Sequence, residues 1–180
     1  MIVALATLMS FPAQAKIPHF EVVAGLNAAN VSMDGTHSRI GGHAGIRTSI
    51  GIPNADDGFY ANIGALLSLK GFEANRYMWN PFYLDIPVHF GYKHAVTEAL
   101  AFFGELGPYF GVGLFGKSEG RDIFRDCGFK RFDAGFGISY GLEFYKTVPV
   151  SIGYDIGVID IGNAIPAKNR NITLSVGYKF

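Results

Sequence analysis

From His19 to Phe180 the chain alternates with a period of two, and the two sides of that alternation differ in kind. In the last stretch Ile172, Leu174, Val176, Tyr178 and Phe180 share one face, while Asn171, Thr173, Ser175, Gly177 and Lys179 share the other. The stretch before it does the same, with Val148, Val150, Ile152, Tyr154, Ile156 and Val158 opposed to Ser151, Gly153, Asp155 and Gly157. Phe132 to Phe144 and Phe82 to Lys93 repeat the pattern. Successive side chains of a pleated strand point to opposite sides, so this spacing predicts strands whose two faces meet different surroundings.

Charge separates the faces further. Glu21, Arg47, Lys70, Asp85, Lys93, Glu105, Lys117, Arg131, Asp133, Glu143, Asp155 and Lys179 all read as lying on the glycine-bearing face, and the opposite face reads as carrying no charge. A cation at the bilayer midplane costs roughly 2–4 kcal/mol, so a face without charge fits contact with lipid. Soluble eight-stranded ligand carriers reverse the arrangement, with apolar residues inside. The mean hydropathy is +0.21, and beyond the N-terminal stretch no run of apolar residues is long enough for a transmembrane helix. A barrel reconciles the two, because its apolar residues are spread two apart.

Eight strands are expected, at about 19–31, 41–52, 58–72, 82–93, 100–117, 131–144, 148–158 and 171–180. Short turns at 53–57, 94–98 and 145–147 alternate with longer loops at 32–40, 73–81, 118–128 and 162–170. The implied fold is all-β, an eight-stranded antiparallel up-and-down transmembrane β-barrel over residues 16–180. Short turns and both termini are expected on the periplasmic side and the long loops outside. Aromatic girdles are expected from Phe20, Tyr92, Phe102, Phe144, Tyr178 and Phe180 at one end. At the other they would come from Phe72, Tyr77, Trp79, Phe82, Phe115 and Phe132. Pro87 and Pro108 fall inside strands and cannot donate to the ladder, so bulges are expected there.

Residues 1–15 read as a cleaved export signal, with an apolar run from Ile2 to Met9 and the small-x-small pattern Ala13-Gln14-Ala15. The basic residues that ordinarily precede such a run are absent, which a start further upstream would account for. The single Cys127 excludes an internal disulfide. Fifteen basic residues balance fifteen acidic ones, which offers no electrostatic footprint for nucleic acid.

Tyr83-Leu84-Asp85-Ile86-Pro87 running into Phe90-Gly91-Tyr92-Lys93 resembles a strand of PorT-type outer-membrane β-barrel proteins, which are OmpX-like in architecture. Gly107-Pro108-Tyr109-Phe110-Gly111-Val112-Gly113 and Phe132-Asp133-Ala134-Gly135-Phe136-Gly137 resemble the next two strands. Asn171 to Phe180 resembles the last one. The resemblance implies an outer-membrane protein whose terminal residues, Tyr178 and Phe180, form the signal read by the barrel assembly machinery. It carries over no catalytic residue. The family's roles are mixed and include assistance to secretion.

The candidate chemistry is sparse. Gly111-Val112-Gly113-Leu114-Phe115-Gly116 matches a dinucleotide-binding pattern by letter, but no helical stripe follows it. His37 and Ser38, near Asp34, could serve a lipid-modifying enzyme at the rim, though nothing orders them as a triad. The five histidines lack metal-ligand spacing, and only His43 and His89 share the lumen. Neither catalytic site, metal nor cofactor is expected. The informative polar set is the lumen charge network: Arg47, Asp85, Glu105, Arg131, Asp133, Glu143 and Asp155. Within it, Arg47, Glu105 and Asp155 are expected to meet near mid-height. The expected role is structural, surface-interacting or accessory to secretion and envelope assembly, for a monomer in outer-membrane lipid with a protein partner at its outer loops. The alternatives are a narrow channel for small solutes and a lipid-modifying enzyme.

Overall fold

The computed structural model describes residues 18–33, 35–52, 57–74, 76–162 and 166–180. The proposed export signal and turn residues 53–56 lie outside them. Among the described residues, eight strands form the ring: β1 (His19–Val31), β2 (Thr36–Ile52), β3 (Gly58–Leu69), β5 (Tyr77–Thr97), β6 (Leu100–Ser118), β8 (Phe132–Phe144), β9 (Val148–Gly157) and β10 (Asn169–Lys179). Two short strands, β4 (Phe72–Ala74) and β7 (Arg121–Asp122), extend the sheet at the loop end. Each ring strand pairs antiparallel with the next, and β1 pairs with β10, from Glu21 opposite Lys179 to Val31 opposite Asn169. Closure leaves no edge within the ring, which the bilayer core requires because nothing there can satisfy an unpaired peptide group.

The alternation holds around the ring. Outward Leu106, Phe136, Ile152 and Leu174 are more than half exposed, whereas inward Val23, Asn27, Tyr83 and Asp133 are almost fully buried. Strands β1, β3, β8, β9 and β10 have 10–13 residues, enough to cross the apolar band. Strands β2, β5 and β6 have 17, 21 and 19 residues and project past it. Most of the surplus lies at the loop end, where β4 joins β2 and β5, and β7 joins β6, while β5 also runs to Thr97 through much of the expected 94–98 turn. Much of what reads as loop at 32–40 and 73–81 is therefore strand. At the other end a tight hairpin joins β8 to β9. Tyr145 and Lys146 both have positive φ, and the Thr147 N–H bonds the Phe144 carbonyl at 3.0 Å, the primed turn that suits a twisted ladder.

Four expectations need correction. Neither proline makes a bulge. The register is continuous through Pro87 and Pro108, which pair with Tyr109 and Phe136, and the ladder lapses on one side only. An antiparallel residue directs its N–H to one neighbour, so each proline forfeits a single bond. The β5–β6 ladder shifts register elsewhere, at Val96 near the turn end and in β6 near the loop end. Opposite Phe82 and Tyr83 the partner strand steps from Phe115 to Gly113, which makes Leu114 the extra residue. Leu114 and Phe115 both face outward, and beyond them parity inverts: Gly116 and Ser118 are buried and Lys117 is exposed. Lys117 is thus not a lumen charge. The outer face is also not free of charge, for β10 begins early enough to include Arg170, exposed on the same side as Ile172. Both cations stand at the loop-end rim, where the cost falls to about 0–1 kcal/mol. Finally, Phe72 and Trp79 are not girdle residues. They stack at 5.7 Å in an apolar cluster above the barrel with Val31, Ile161, Ala167 and Phe129.

Depth should govern the cost of charge on the outer face. Leu174 lies between Leu26 and Ile152 across the ladder, far from either rim. Leu174→Arg is expected to lower the unfolding free energy by about 2–4 kcal/mol, measured by urea unfolding in lipid vesicles. Arg170→Leu should change it by less than about 1 kcal/mol.

Candidate functional site

The inward charges form two layers with a cavity between them. At the turn end Glu143, buried, accepts hydrogen bonds from Lys93 Nζ at 2.7 Å and from Lys179 Nζ. Arg47 reaches Glu21 at 3.1 Å and Glu105 at 3.8 Å. Glu105 also accepts from the Tyr60 hydroxyl at 2.8 Å, Asn62 Nδ2 at 3.1 Å and Ser139 Oγ at 3.4 Å, and it faces His89 Nδ1 at 3.6 Å. At the loop end Lys70 Nζ lies 2.8 Å from Asp85 and 3.6 Å from Asp133. It also lies over the rings of Tyr109 at 4.6 Å and Tyr83 at 5.3 Å. Asp133, fully buried, accepts from Asn169 Nδ2 at 2.8 Å and the Tyr109 hydroxyl at 3.2 Å.

The cavity between the layers has a volume of about 70 Å³ and is lined by His43, Ser68, His89, Ser151, Asp155 and Asn171 among others. Polar walls and that volume suit a few water molecules and nothing larger. Its wall carries a hydrogen-bonded trio: His43 Nδ1 lies 2.5 Å from Asn27 Oδ1, and His43 Nε2 lies 2.9 Å from Ser175 Oγ. The order serine–histidine–amide matches that of a nucleophile, base and orienting group. It lies at mid-barrel beside a space too small for a substrate, however, and the neighbouring backbone N–H groups belong to the sheet rather than to an oxyanion hole.

The seven residues of the expected network separate into groups. Arg47 and Glu105 meet. Asp155 is not paired with them; its Oδ2 accepts from Asn171 Nδ2 at 3.3 Å. His89 stands between Glu105 and Asp155, and both His89 and Asp155 crowd over Gly137, where any Cβ would collide with them. Asp85 and Asp133 share Lys70, and Glu143 belongs to the opposite layer. Arg131 is outside the network altogether. Its guanidinium donates to the Gly113 carbonyl at 2.8 Å and the Leu114 carbonyl at 2.7 Å, and lies 4.8 Å from the Phe124 ring centre. The bulge at Leu114 turns those carbonyls toward it. Among the described residues, four fixed cations pair with five of the lumen's six acids: Arg47, Lys70, Lys93 and Lys179. Neutral donors supply the difference: Tyr60, Asn62, Tyr109, Asn169 and Asn171. Periodicity marks such residues as inward but does not say which acid each will serve.

Above the upper layer the β6–β8 loop closes the mouth. Phe124 packs edge-on against Tyr83 with ring centres 6.0 Å apart, and it occupies the space a side chain at Gly113 would need. Asp122 holds the loop in place. Its carboxylate accepts the N–H groups of Arg125 and Phe124, each at 2.9 Å, and these bonds keep it below the usual carboxylate range. His37 and Ser38 lie on β2 beside Glu73 and Phe72, and both are exposed; Asp34 is outside the described residues. Among the described residues no group of acids, histidines and cysteine could hold a metal ion. Tyr178 and Phe180 face outward at the turn end, with rings 6.2 Å apart.

Glu143 is the only acid within ion-pair reach of Lys93 or Lys179 among the described residues. Glu143→Ala strands the buried Lys93 and the half-buried Lys179 and is expected to cost about 3–5 kcal/mol in urea unfolding, part of it recovered by adding Lys93→Met.

The comparisons with known proteins agree with this architecture. The profile of the family described as "Outer membrane protein beta-barrel domain" matches residues 1–180. The crystal structure of Neisserial surface protein A aligns with a TM-score of 0.61 and 14% identity, over 92% of this chain and 99% of that one. The attachment invasion locus protein Ail of Yersinia pestis, in complex with the heparin analogue sucrose octasulfate, aligns with a TM-score of 0.51 and 16% identity. That alignment covers 92% of this chain and all 100% of the other. At such identities the likeness is one of fold. No curated protein sequence matches the chain. Closed ring, outward apolar face and whole-chain profile together place the chain in the family of outer-membrane β-barrel domain proteins.

Proposed function

We propose that this chain is a non-enzymatic outer-membrane barrel that works through the folded surface at its loop end, as an interaction or accessory component of the envelope. The observation that carries the reading is the filled axis. Two buried ion-pair layers flank a cavity of about 70 Å³, and Phe124 with Arg131 covers the upper one. A barrel built to pass solutes has no use for such a plug. Above it, Phe72, Trp79 and Phe129 give the loops an apolar core of their own. That core fixes the shape of a surface bearing Arg121, Arg125 and Asp126 on its exposed side. A preformed surface loses less freedom on meeting a partner than a loose one does.

The finer parts of the reading belong to the same proposal. The termini and tight turns face the periplasm, and the loops face outward, as short and long connections do in barrels of this kind. Tyr178 and Phe180 serve as the assembly signal, the chain acts as a monomer, and the PorT-type motifs from Tyr83 to Pro87 and from Asn171 to Phe180 mark its nearer kinship. A narrow channel is the competing reading, supported by the polar cavity.

Planar-bilayer recording separates the two. The purified barrel is expected to give no stable openings at 1 M salt, and reproducible unitary conductance would overturn the sealed-lumen reading. Deleting residues 118–128 should abolish co-purification of a partner while leaving heat-modifiable gel mobility intact. Replacement of His37 or Ser38 should leave the lipid profile unchanged.

A further inference from the structure

Four exposed cations stand on the outer side of the barrel at its loop end, and no acid answers them. Lys117 follows the bulge in β6, and Lys130 is tied by its N–H to the Ile161 carbonyl at 2.7 Å. Lys168 is fixed against Ser32, its N–H on Ser32 Oγ at 3.1 Å and its carbonyl on the Ser32 N–H at 2.9 Å. Arg170 lies in the ladder between Asn30 and Ile156. Among the described residues none of the four has an ion-pair partner. Two acids of the same arc are engaged in their own loop, and no other described acid lies within ion-pair distance of the four cations. The Asp122 carboxylate binds N–H groups of its own loop, and Asp126 accepts the Asp122 N–H at 2.9 Å. Asp160 is half-buried with one carboxylate oxygen enclosed, and Glu119 stands at the tip of the β6–β7 hairpin.

The depth of these cations is set by what lies beneath them. Phe115 is two residues below Lys117, Phe132 two from Lys130 and Ile172 two from Arg170, each about half exposed on the lipid-facing side. At roughly 3.3 Å per residue each of these three cations lies about 7 Å along its own segment from that side chain, toward headgroup level. Lys117 and Arg170 are on the outward side of their strands, whereas the exposed Arg121 and Arg125 belong to the loop between β6 and β8.

We propose that Lys117, Lys130, Lys168 and Arg170 form a belt that binds the phosphate groups of anionic lipids around the loop-end rim. Phosphate oxygens take charge-assisted hydrogen bonds from ammonium and guanidinium groups, and the long lysine stems can lie along the apolar band while their heads reach the charge. The four side chains are spread over β6, the approach to β8, and β10 with the residue before it, so the belt touches several headgroups rather than enclosing one.

Native mass spectrometry of the full chain, in non-ionic micelles containing phosphatidylglycerol and phosphatidylcholine, tests the belt. Phosphatidylglycerol should be retained in preference. The combined variant Lys117→Gln, Lys130→Gln, Lys168→Gln and Arg170→Gln should lose at least about tenfold in its retention, given roughly fivefold for each basic group near an anionic surface. Heat-modifiable gel mobility verifies that the variant barrel has closed. Arg121→Gln with Arg125→Gln, at the loop tip, should leave retention unchanged. Equal retention of the two lipids by the unmodified chain, undiminished retention by the fourfold variant, or an equal loss in the loop-tip variant would each overturn the proposal.

Discussion

Lipid tails accept neither an unpaired peptide group nor a charge, and nearly every feature of this chain follows from that refusal. The peptide groups force the strands to close, so β1 meets β10 over eleven register pairs and the ring has no edge. The charges must then go inside or to the rims. An eight-stranded interior is only wide enough to be filled by side chains, so the enclosed charges meet one another whether or not a function needs them to. Lys70 between Asp85 and Asp133, and Glu143 between Lys93 and Lys179, are what such confinement produces. A buried ion left unpaired would cost several kcal/mol, and each of these layers avoids that cost with partners from strands well apart in sequence.

Width sets the second condition. Long side chains that cross the lumen need opposing positions with little or no side chain, which accounts for glycine on the charged face. Gly137 leaves room for His89 and Asp155, and Gly113 leaves room for Phe124. The acids outnumber the fixed cations, so tyrosine hydroxyls and asparagine amides complete the shell around Glu105 and Asp133. Neutral donors of this kind satisfy a carboxylate without introducing another ion that must itself be paired.

The alternation made the ring legible from residues alone, because a period of two cannot slip by one without putting every charge into lipid. The eight ring strands, the inward placement of Arg47, Asp85, Glu105, Asp133, Glu143 and Asp155, and the longer connections at one end can all be read that way. What alternation cannot convey is which inward residues meet. That depends on how far each strand is staggered against its neighbours, so Asp155 could be placed inside but not assigned to Asn171 rather than Arg47. The loop-end cluster was illegible for another reason. Phe72 and Trp79 look like girdle aromatics until β4 folds back between β2 and β5 and turns them toward Val31 and Ile161.

The misplacement of Lys117 has a single cause, whereas Arg131 stands just ahead of β8, where strand alternation no longer governs it. One extra residue in the run Gly113-Leu114-Phe115 reverses the parity of everything beyond it, and nothing in a string of small and apolar residues marks where the addition falls. The reversal comes where the surroundings change from acyl chain to headgroup. Below the bulge β6 must send its charge inward, as Glu105 shows. Above it, a cation is better placed outside, among phosphates, than inside a lumen whose upper layer already has Lys70. The same insertion frees the carbonyls of Gly113 and Leu114 to accept from Arg131, which carries Phe124 beneath it over the mouth. A single added residue thus lets one strand supply the lipid-facing wall, a cation of the rim and the anchor of the lid.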